Sequence, residues 1–242
     1  MRKKADASGK TTAQQLKEAA VIAFGKYGYE GATVRTIAHM ANLTAGQITA
    51  NFGSKENLFN EIIMDIHAET CRHYDPLIGE YEYLKRNNLL TEADAWRLIE
   101  TIIDKQISYM SAPENLWRVQ IMNVHMINET MPMSANLARF TVEKIEMLLA
   151  RLLLEVFQSK RFLHARTVSR ATNGAIISFA EHPDLLVSEV LGSQHKHANE
   201  WMKEYLKNYL MDSLRHEAQR ADLTAKETLN EKPAEGAEET KP

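Results

Sequence analysis

From Thr11 onward, Leu16, Ala19, Ala20, Ala23, Phe24 and Tyr27 return at steps of three and four, the repeat that stacks side chains on one face of an α-helix. This stripe predicts a first helix that stops at Gly28, a residue suited to a left-handed C-terminal cap. Thr33 stands where it caps a short second helix whose inner side is Val34, Ile37, Ala38 and Ala41. The chain then breaks at Ala41-Asn42-Leu43, with Asn42 as the left-handed turn residue. Thr44 followed three residues later by Gln47 is a capping box, so a third helix is expected through Ile48 to about Phe52. Gly53-Ser54 ends it and caps a fourth, in which Leu58, Phe59, Ile62, Ile63 and Ile66 form a long apolar stripe.

Beyond Pro76 the pattern predicts further helices at roughly 77–87, 92–110, 114–128, 134–158, 162–181 and 199–217, punctuated by Asn87-Asn88, Pro113, Pro132 and His182-Pro183. No strand pattern occurs. The run Met147 to Leu154 is apolar on nearly every side, which predicts a helix buried on several faces. The expected fold is therefore all-α: a three-helix N-terminal unit followed by a larger helical domain. The divisions are 1–10 as a mobile arm, 11–60 as the small domain, 61–219 as the large one, and 220–242 as a disordered tail poor in large apolar side chains.

Composition changes this picture little, with 44% hydrophobic and 25% charged residues in 242, the make-up of a soluble globular protein. No apolar run approaches the ~18 residues that span a bilayer and the first residues are polar, so a cytoplasmic protein without a membrane partner is expected. The single cysteine, Cys71, excludes an internal disulfide and a cysteine-built zinc site. Charge adds more. Residues 1–60 carry eight basic and four acidic side chains, a balance of +4, while the whole chain has a net charge of −3. A basic small end on an acidic body fits a polyanionic partner for the small end, or a solvated surface charged by chance.

On the third helix, Ile48 and Phe52 define the inner side and Gly46 and Ala50 the outer, flanked by Gln47 and Thr49. Small uncharged side chains let a helix approach base edges in a major groove about 12 Å wide, where Gln47 is suited to an adenine edge and the Ala50 methyl to a thymine methyl. An ordinary surface helix of a bundle would look the same. The run Ala19-Ala20-x-x-Ala23-Phe24-x-x-Tyr27-Gly28-Tyr29-x-x-Ala32-Thr33-Val34-Arg35-x-Ile37-Ala38-x-x-Ala41, then Leu43-Thr44-x-Gly46-x-Ile48 and Phe52-Gly53-Ser54-Lys55-x-x-Leu58, separates the two. Over roughly residues 12–60 it closely resembles the helix-turn-helix domain of TetR-family transcriptional regulators. The form Ile48-Thr49-x-x-Phe52 and the length of the second domain resemble the CecR-like branch.

The resemblance implies a homodimer whose two readers straddle a palindromic double-stranded DNA operator. It assigns Thr44, Gln47, Thr49, Ala50 and Asn51 to the DNA-facing side and Lys55 to a phosphate. Thr12 and Arg35 are further backbone candidates, with plain helix support the equal alternative for Arg35 and Thr33. This chain departs from the common pattern in having Thr49, Ala50 and Asn51 where relatives carry aromatic residues or histidine, Asn42 for the turn glycine, and no Lys or Arg on the third helix. Affinity for phosphates then falls to the arm, Arg35 and Lys55.

The resemblance further implies that 162–181 and 199–217 form a four-helix bundle across the dimer axis, with Phe179 and the i, i+4, i+8 stripe Trp201, Tyr205 and Tyr209 as interface candidates; a role for 162–181 in the molecule's own core is the alternative. Trp96, Tyr109, Trp117, Met122, Met126, Met131 and Met133 give an adaptable apolar lining for a small hydrophobic or amphipathic effector between the helices of 77–158. Gln120, Asn123 and His125 are the polar members of that segment. Cys71 and His73 lie two apart, on different helix faces, and His195 and His197 read as solvated, so no metal site is expected. No cofactor motif, nucleophile motif or phosphate loop points to an enzyme. A ligand-responsive regulator, in most cases a repressor, is the function these features imply. Its rival is a constitutive architectural DNA-binding or protein-interaction factor on the same fold.

Overall fold

The computed structural model describes residues 9–127, 134–158, 160–181 and 198–220. Among them the structure is helical with no strand: α1 (Thr12–Gly31), α2 (Val34–Met40), α3 (Ala45–Phe52), α4 (Lys55–Arg86), α5 (Glu92–Met110), a 3₁₀ turn (Pro113–Asn115), α6 (Leu116–Ile127), α7 (Ser134–Val156), α8 (Phe162–Glu181) and α9 (Ala198–Gln219). The expected arm up to residue 8, the tail from 221, and His195 and His197 lie outside the described residues.

Local chemistry explains the boundaries. Thr11 caps α1, with the Gln14 N–H donating to its hydroxyl at 3.3 Å and its own N–H donating to the Gln14 side chain at 2.8 Å. Gly28 has φ 70° and ψ 173°, further from helical than the left-handed cap expected, in a region open essentially to glycine alone. The helical hydrogen bonding resumes as far as Gly31 before Ala32. After α2, Asn42 has φ 54°. The Leu43 N–H donates to Ala38 O at 2.8 Å and the Asn42 N–H to His39 O at 3.0 Å, the paired bonds of a Schellman cap. Asn88 ends α4 in the same way, with φ 54° and the Leu89 N–H on Leu84 O at 2.9 Å.

One expected break does not occur. α4 runs through Pro76 without interruption, so the helix expected at 77–87 is the second half of a 32-residue rod. Proline removes the bond to the carbonyl four residues back. Here Arg72 and Pro76 are both exposed, so that carbonyl can meet water, while Tyr74, Leu77 and Tyr81 are buried on the opposite side and hold the helix in register.

Two apolar cores result. The first gathers Leu16, Ala20, Phe24, Ile37, Ile48 and Phe59 of α1 to α4, and the second gathers Leu98, Ile102, Leu149, Leu153 and Leu210 of α5, α7 and α9. α4 feeds both: Leu58 to Ile66 enter the first, Tyr74 to Tyr81 the second. α6 crosses between them. Its Ile121 is fully buried in the first core, and Met122 packs against the same cluster. The run Met147 to Leu154 buries Leu148, Leu149, Ala150, Leu152 and Leu153 and leaves only Arg151 exposed, as its apolar pattern predicts.

Candidate nucleic-acid interface and effector cavity

α3 is seated by Ile48 and Phe52, 1% and 7% exposed, and its other side faces solvent. Thr44, Gly46, Thr49, Ala50 and Asn51 are exposed there, and Gln47 is half-buried. Gln47 already has work in the helix. Its Oε1 accepts from the Thr44 N–H at 2.8 Å and lies 3.3 Å from the Thr44 hydroxyl. The Asn51 Nδ2 donates back to Gln47 O at 2.7 Å. Bidentate pairing of Gln47 with adenine needs one lone pair of that Oε1 and the amide N–H, so the cap and a base contact draw on the same side chain.

The positive charges around α3 are arranged unevenly. Arg35, on α2, is exposed and forms no ion pair among the described residues. Lys55 is the first residue of α4, after the cap that Ser54 makes by accepting from the Asn57 N–H at 3.0 Å. Its ammonium donates to Tyr29 O at 2.9 Å and lies 4.2 Å from the centre of the Tyr29 ring, so it is folded back on the end of α1. Lys17 bridges α1 to α4 through Glu61 at 3.0 Å and Asp65 at 2.8 Å. Lys10 lies 2.7 Å from Glu18. Thr12 opens α1 and is half-buried, and Thr33 caps α2 by accepting from the Thr36 N–H at 3.0 Å.

A cavity of about 60 Å³ lies between α4, α5, α6, α7 and α8. Of the residues expected at an effector site, Tyr109 and Met122 line it. Trp96 packs against the second core and donates its indole N–H to Glu92 at 3.3 Å, whereas Trp117 faces α1 and Gln120 is half-buried elsewhere on α6. The side chains of Asn123, His125, Met126, Met131 and Met133 lie outside the described residues. Sequence reasoning missed Arg118, Ile145 and Ile177 on the cavity wall. Arg118 donates to Glu69 at 2.8 Å and to Asn115 at 3.2 Å. A pairing between residues 49 positions apart leaves no local signature.

Tyr109 carries the cavity's unusual feature. Among the described residues its buried hydroxyl has no acceptor; its polar neighbour Arg118 can only donate. Burial raises its pKa most and the Glu69 carboxylate adds to this, against a smaller lowering by Arg118. Close by, the Cys71 thiol lies 3.6 Å from the His67 Nε2 and 3.7 Å from the Lys144 ammonium. His67 is four residues from Cys71 on α4, a spacing readable in the sequence, whereas His73 is exposed and apart. Among the described residues no three His, Cys, Asp or Glu side chains converge as a metal site. No described helix is long and apolar enough to cross a membrane.

On α9 the outward stripe is plain: Trp201, Tyr205 and Tyr209 are 57%, 58% and 59% exposed, with the first two rings stacked at 5.4 Å. Phe179, grouped with them from the sequence, is half-buried and packs against the molecule's own second core. The exposed side of α8 is made of small residues in its C-terminal half, Ala171, Gly174, Ala175 and Ser178, and carries Leu163, Thr167 and Arg170 before them.

Residues 16–62 match the family model described as bacterial regulatory proteins, tetR family. Over 46 residues the chain is 46% identical to the HTH-type transcriptional repressor AcnR of Corynebacterium glutamicum. That stretch is 19% of this chain and spans about a quarter, 24%, of the relative's length. A transcriptional regulator from Rhodococcus sp. Rha1 superposes with a TM-score of 0.56 at 16% identity, over 88% of this chain and 100% of that one. The fatty acid degradation regulator FadR from Bacillus halodurans does so at 0.53 and 17%, over 84% and 96%. Likeness at these identities establishes a shared fold.

Proposed function

We propose that this chain, whose residues 16–62 match the tetR-family model, is a sequence-specific transcriptional regulator, a repressor whose grip on its operator is released by a small apolar or amphipathic effector. The observation that carries this reading is α3 itself. It is a short helix locked on one side by Ile48 and Phe52, set off from α2 by the Asn42 turn, and lined outward with small uncharged groups. Such a face fits a major groove. The repressor sense is supported by the likeness of this region to a named repressor.

The DNA contacts proposed are Thr44, Gln47, Thr49, Ala50 and Asn51 at base edges and sugar-phosphate, with Thr12, Arg35 and Lys55 at phosphates. For Lys55 the contact requires the ammonium to swing from Tyr29 O to the open N–H groups of the α4 N-terminus, where an anion is also favoured. The large domain supplies two further roles. The aromatic stripe of α9 and the small residues exposed on the C-terminal half of α8 support a homodimer, since exposed aromatics of this extent gain most by burial against a second copy.

The effector role is supported by α6, which faces the cavity with Arg118, Val119 and Met122 and the first core with Ile121. It also touches α1 closely, for a β-carbon on Gly25 would lie 2.9 Å from Trp117 O. Anything that widens the cavity therefore displaces a helix fastened to the reader. A ligand shifts the equilibrium only by its preference for one arrangement. Here the preference has a source in the cavity's small present size.

Selection of bound duplexes from a random DNA pool tests the proposal. The expected product is one two-fold symmetric sequence with half-sites about one helical turn apart. Recovery of unrelated duplexes that bind equally well would favour the architectural alternative.

A further inference from the structure

The cavity wall is apolar along Ile66, Tyr74, Met110, Val142, Ile145 and Ile177. Most of its polar groups are already satisfied. The Thr70 hydroxyl donates to Ile66 O at 2.9 Å, and the Thr141 hydroxyl donates to Leu137 O at 2.7 Å beside the His67 Nδ1 at 2.7 Å. Arg118, the one cation among the described wall residues, is neutralised by Glu69 at 2.8 Å. An anionic guest would have to displace Glu69 or sit beside it, and a cationic guest would meet Arg118, so neither sign of charge is matched. What remains unmatched is the hydrogen of the Tyr109 hydroxyl: the Arg118 guanidinium beside it can only donate, and among the described residues no acceptor meets this buried group. A buried donor without an acceptor is rare in proteins and marks a place for one.

We propose that the cavity binds an uncharged, mainly apolar carbonyl compound, a ketone, ester or lactone, whose oxygen accepts the hydrogen bond that the Tyr109 hydroxyl lacks. This rests on the effector-responsive reading above and names the chemical class it leaves open. Burial keeps the tyrosine protonated, and hence a donor, well above neutral pH. The rest of the guest faces aliphatic walls and the flexible thioethers of Met110 and Met122. The free space of about 60 Å³ is less than half the ~150 Å³ that admits benzene in an engineered apolar cavity. A guest of six or seven heavy atoms must therefore push those methionines aside. Met122 is also packed against the reader's core, which ties occupancy to the DNA-binding end.

The test uses the full chain and three probes of matched length, 2-hexanone, hexanoate and hexylamine, titrated calorimetrically and by tryptophan fluorescence. The ketone is expected to bind at least tenfold tighter than either ion. Tyr109→Phe is expected to lower ketone affinity about tenfold, the worth of one well-made buried hydrogen bond, with its melting temperature little changed because the hydroxyl donates to no acceptor and Arg118 keeps Glu69. Ile177→Phe, which fills the space, is expected to abolish binding of all three. Tighter binding of hexanoate or hexylamine, or ketone affinity indifferent to Tyr109→Phe, overturns the ligand class while leaving the cavity as an effector site. Absence of binding by every probe, or binding that survives Ile177→Phe, overturns the inference altogether. The effector reading is scored separately by operator affinity with and without bound ketone: bound ketone that leaves operator affinity unchanged counts against that reading and leaves the ligand class standing.

Discussion

At Gly25 the missing side chain sets a distance: a β-carbon there would lie 2.9 Å from Trp117 O and 3.0 Å from its Cβ. Those neighbours include backbone, so they cannot rotate away. Gly25→Ala is expected to force α1 and α6 apart and lower stability by about 1–3 kcal/mol, the usual cost of overpacking, read from urea unfolding. A stability change within about 0.5 kcal/mol would mean the contact is looser than described. Gln47 poses a different problem, since one side chain serves both the α3 cap and the proposed base contact. Gln47→Ala removes both and should cost about 1 kcal/mol in stability as well as DNA affinity. Gln47→Glu keeps an acceptor for the Thr44 N–H but brings a negative charge towards the groove. It should unfold like the parent and bind operator at least tenfold more weakly, so comparing the two variants separates the roles.

Helices α8 and α9 meet through His164 and Glu217, 2.8 Å apart, with Arg220 on the other carboxylate oxygen at 3.0 Å. Burial alone would raise the Glu217 pKa, but the hydrogen bonds from Arg220 and His164 outweigh it and hold the value below the ordinary one. A depressed carboxylate contributes stability above its unfolded pKa of about 4.3 and loses it as pH falls through the lower folded value. Thermal unfolding followed from pH 6 to pH 3 should therefore fall less steeply for Glu217→Gln than for the parent in the acid range below about 4.3, and identical slopes there would contradict the assignment. In α4, Pro76 interrupts hydrogen bonding on an exposed side. Pro76→Ala should stabilise the protein by about 1–3 kcal/mol, measured by the same unfolding. The elements of the small domain were legible because their boundaries rest on local chemistry: the Thr11 and Thr44 caps and the Asn42 turn are short-range bonds. The continuity of α4 was not, because burial of Tyr74, Leu77 and Tyr81 against distant helices overrides what Pro76 signals locally. For the same reason the wall residues Arg118 and Ile177 escape a sequence reading, whereas Tyr109 and Met122 stand out by side-chain type alone.

Across the whole molecule α4 feeds both cores, while α6 packs on α1 at the first core and on α7 and α8 of the large domain, and the reader hangs on both helices. Its +4 charge in residues 1–60 is partly spent internally, on Lys17 with Glu61 and Asp65 and on Lys10 with Glu18. Arg35 and a released Lys55 are left as the described cations best placed for phosphate. With no Lys or Arg on α3 itself, sequence specificity leans on its uncharged side chains. The most direct test of the proposed regulator is competition binding of the full chain to a selected operator and to an unrelated duplex, at two salt concentrations, for the parent and Ala50→Glu. Ala50 is exposed and supports no other residue in the fold, so its replacement leaves the core intact while placing bulk and charge in the groove. The parent is expected to prefer operator by about 10³-fold or more, and Ala50→Glu to lose most of this preference with an unchanged melting temperature. A parent without preference, or a variant that keeps it, would contradict sequence reading through α3.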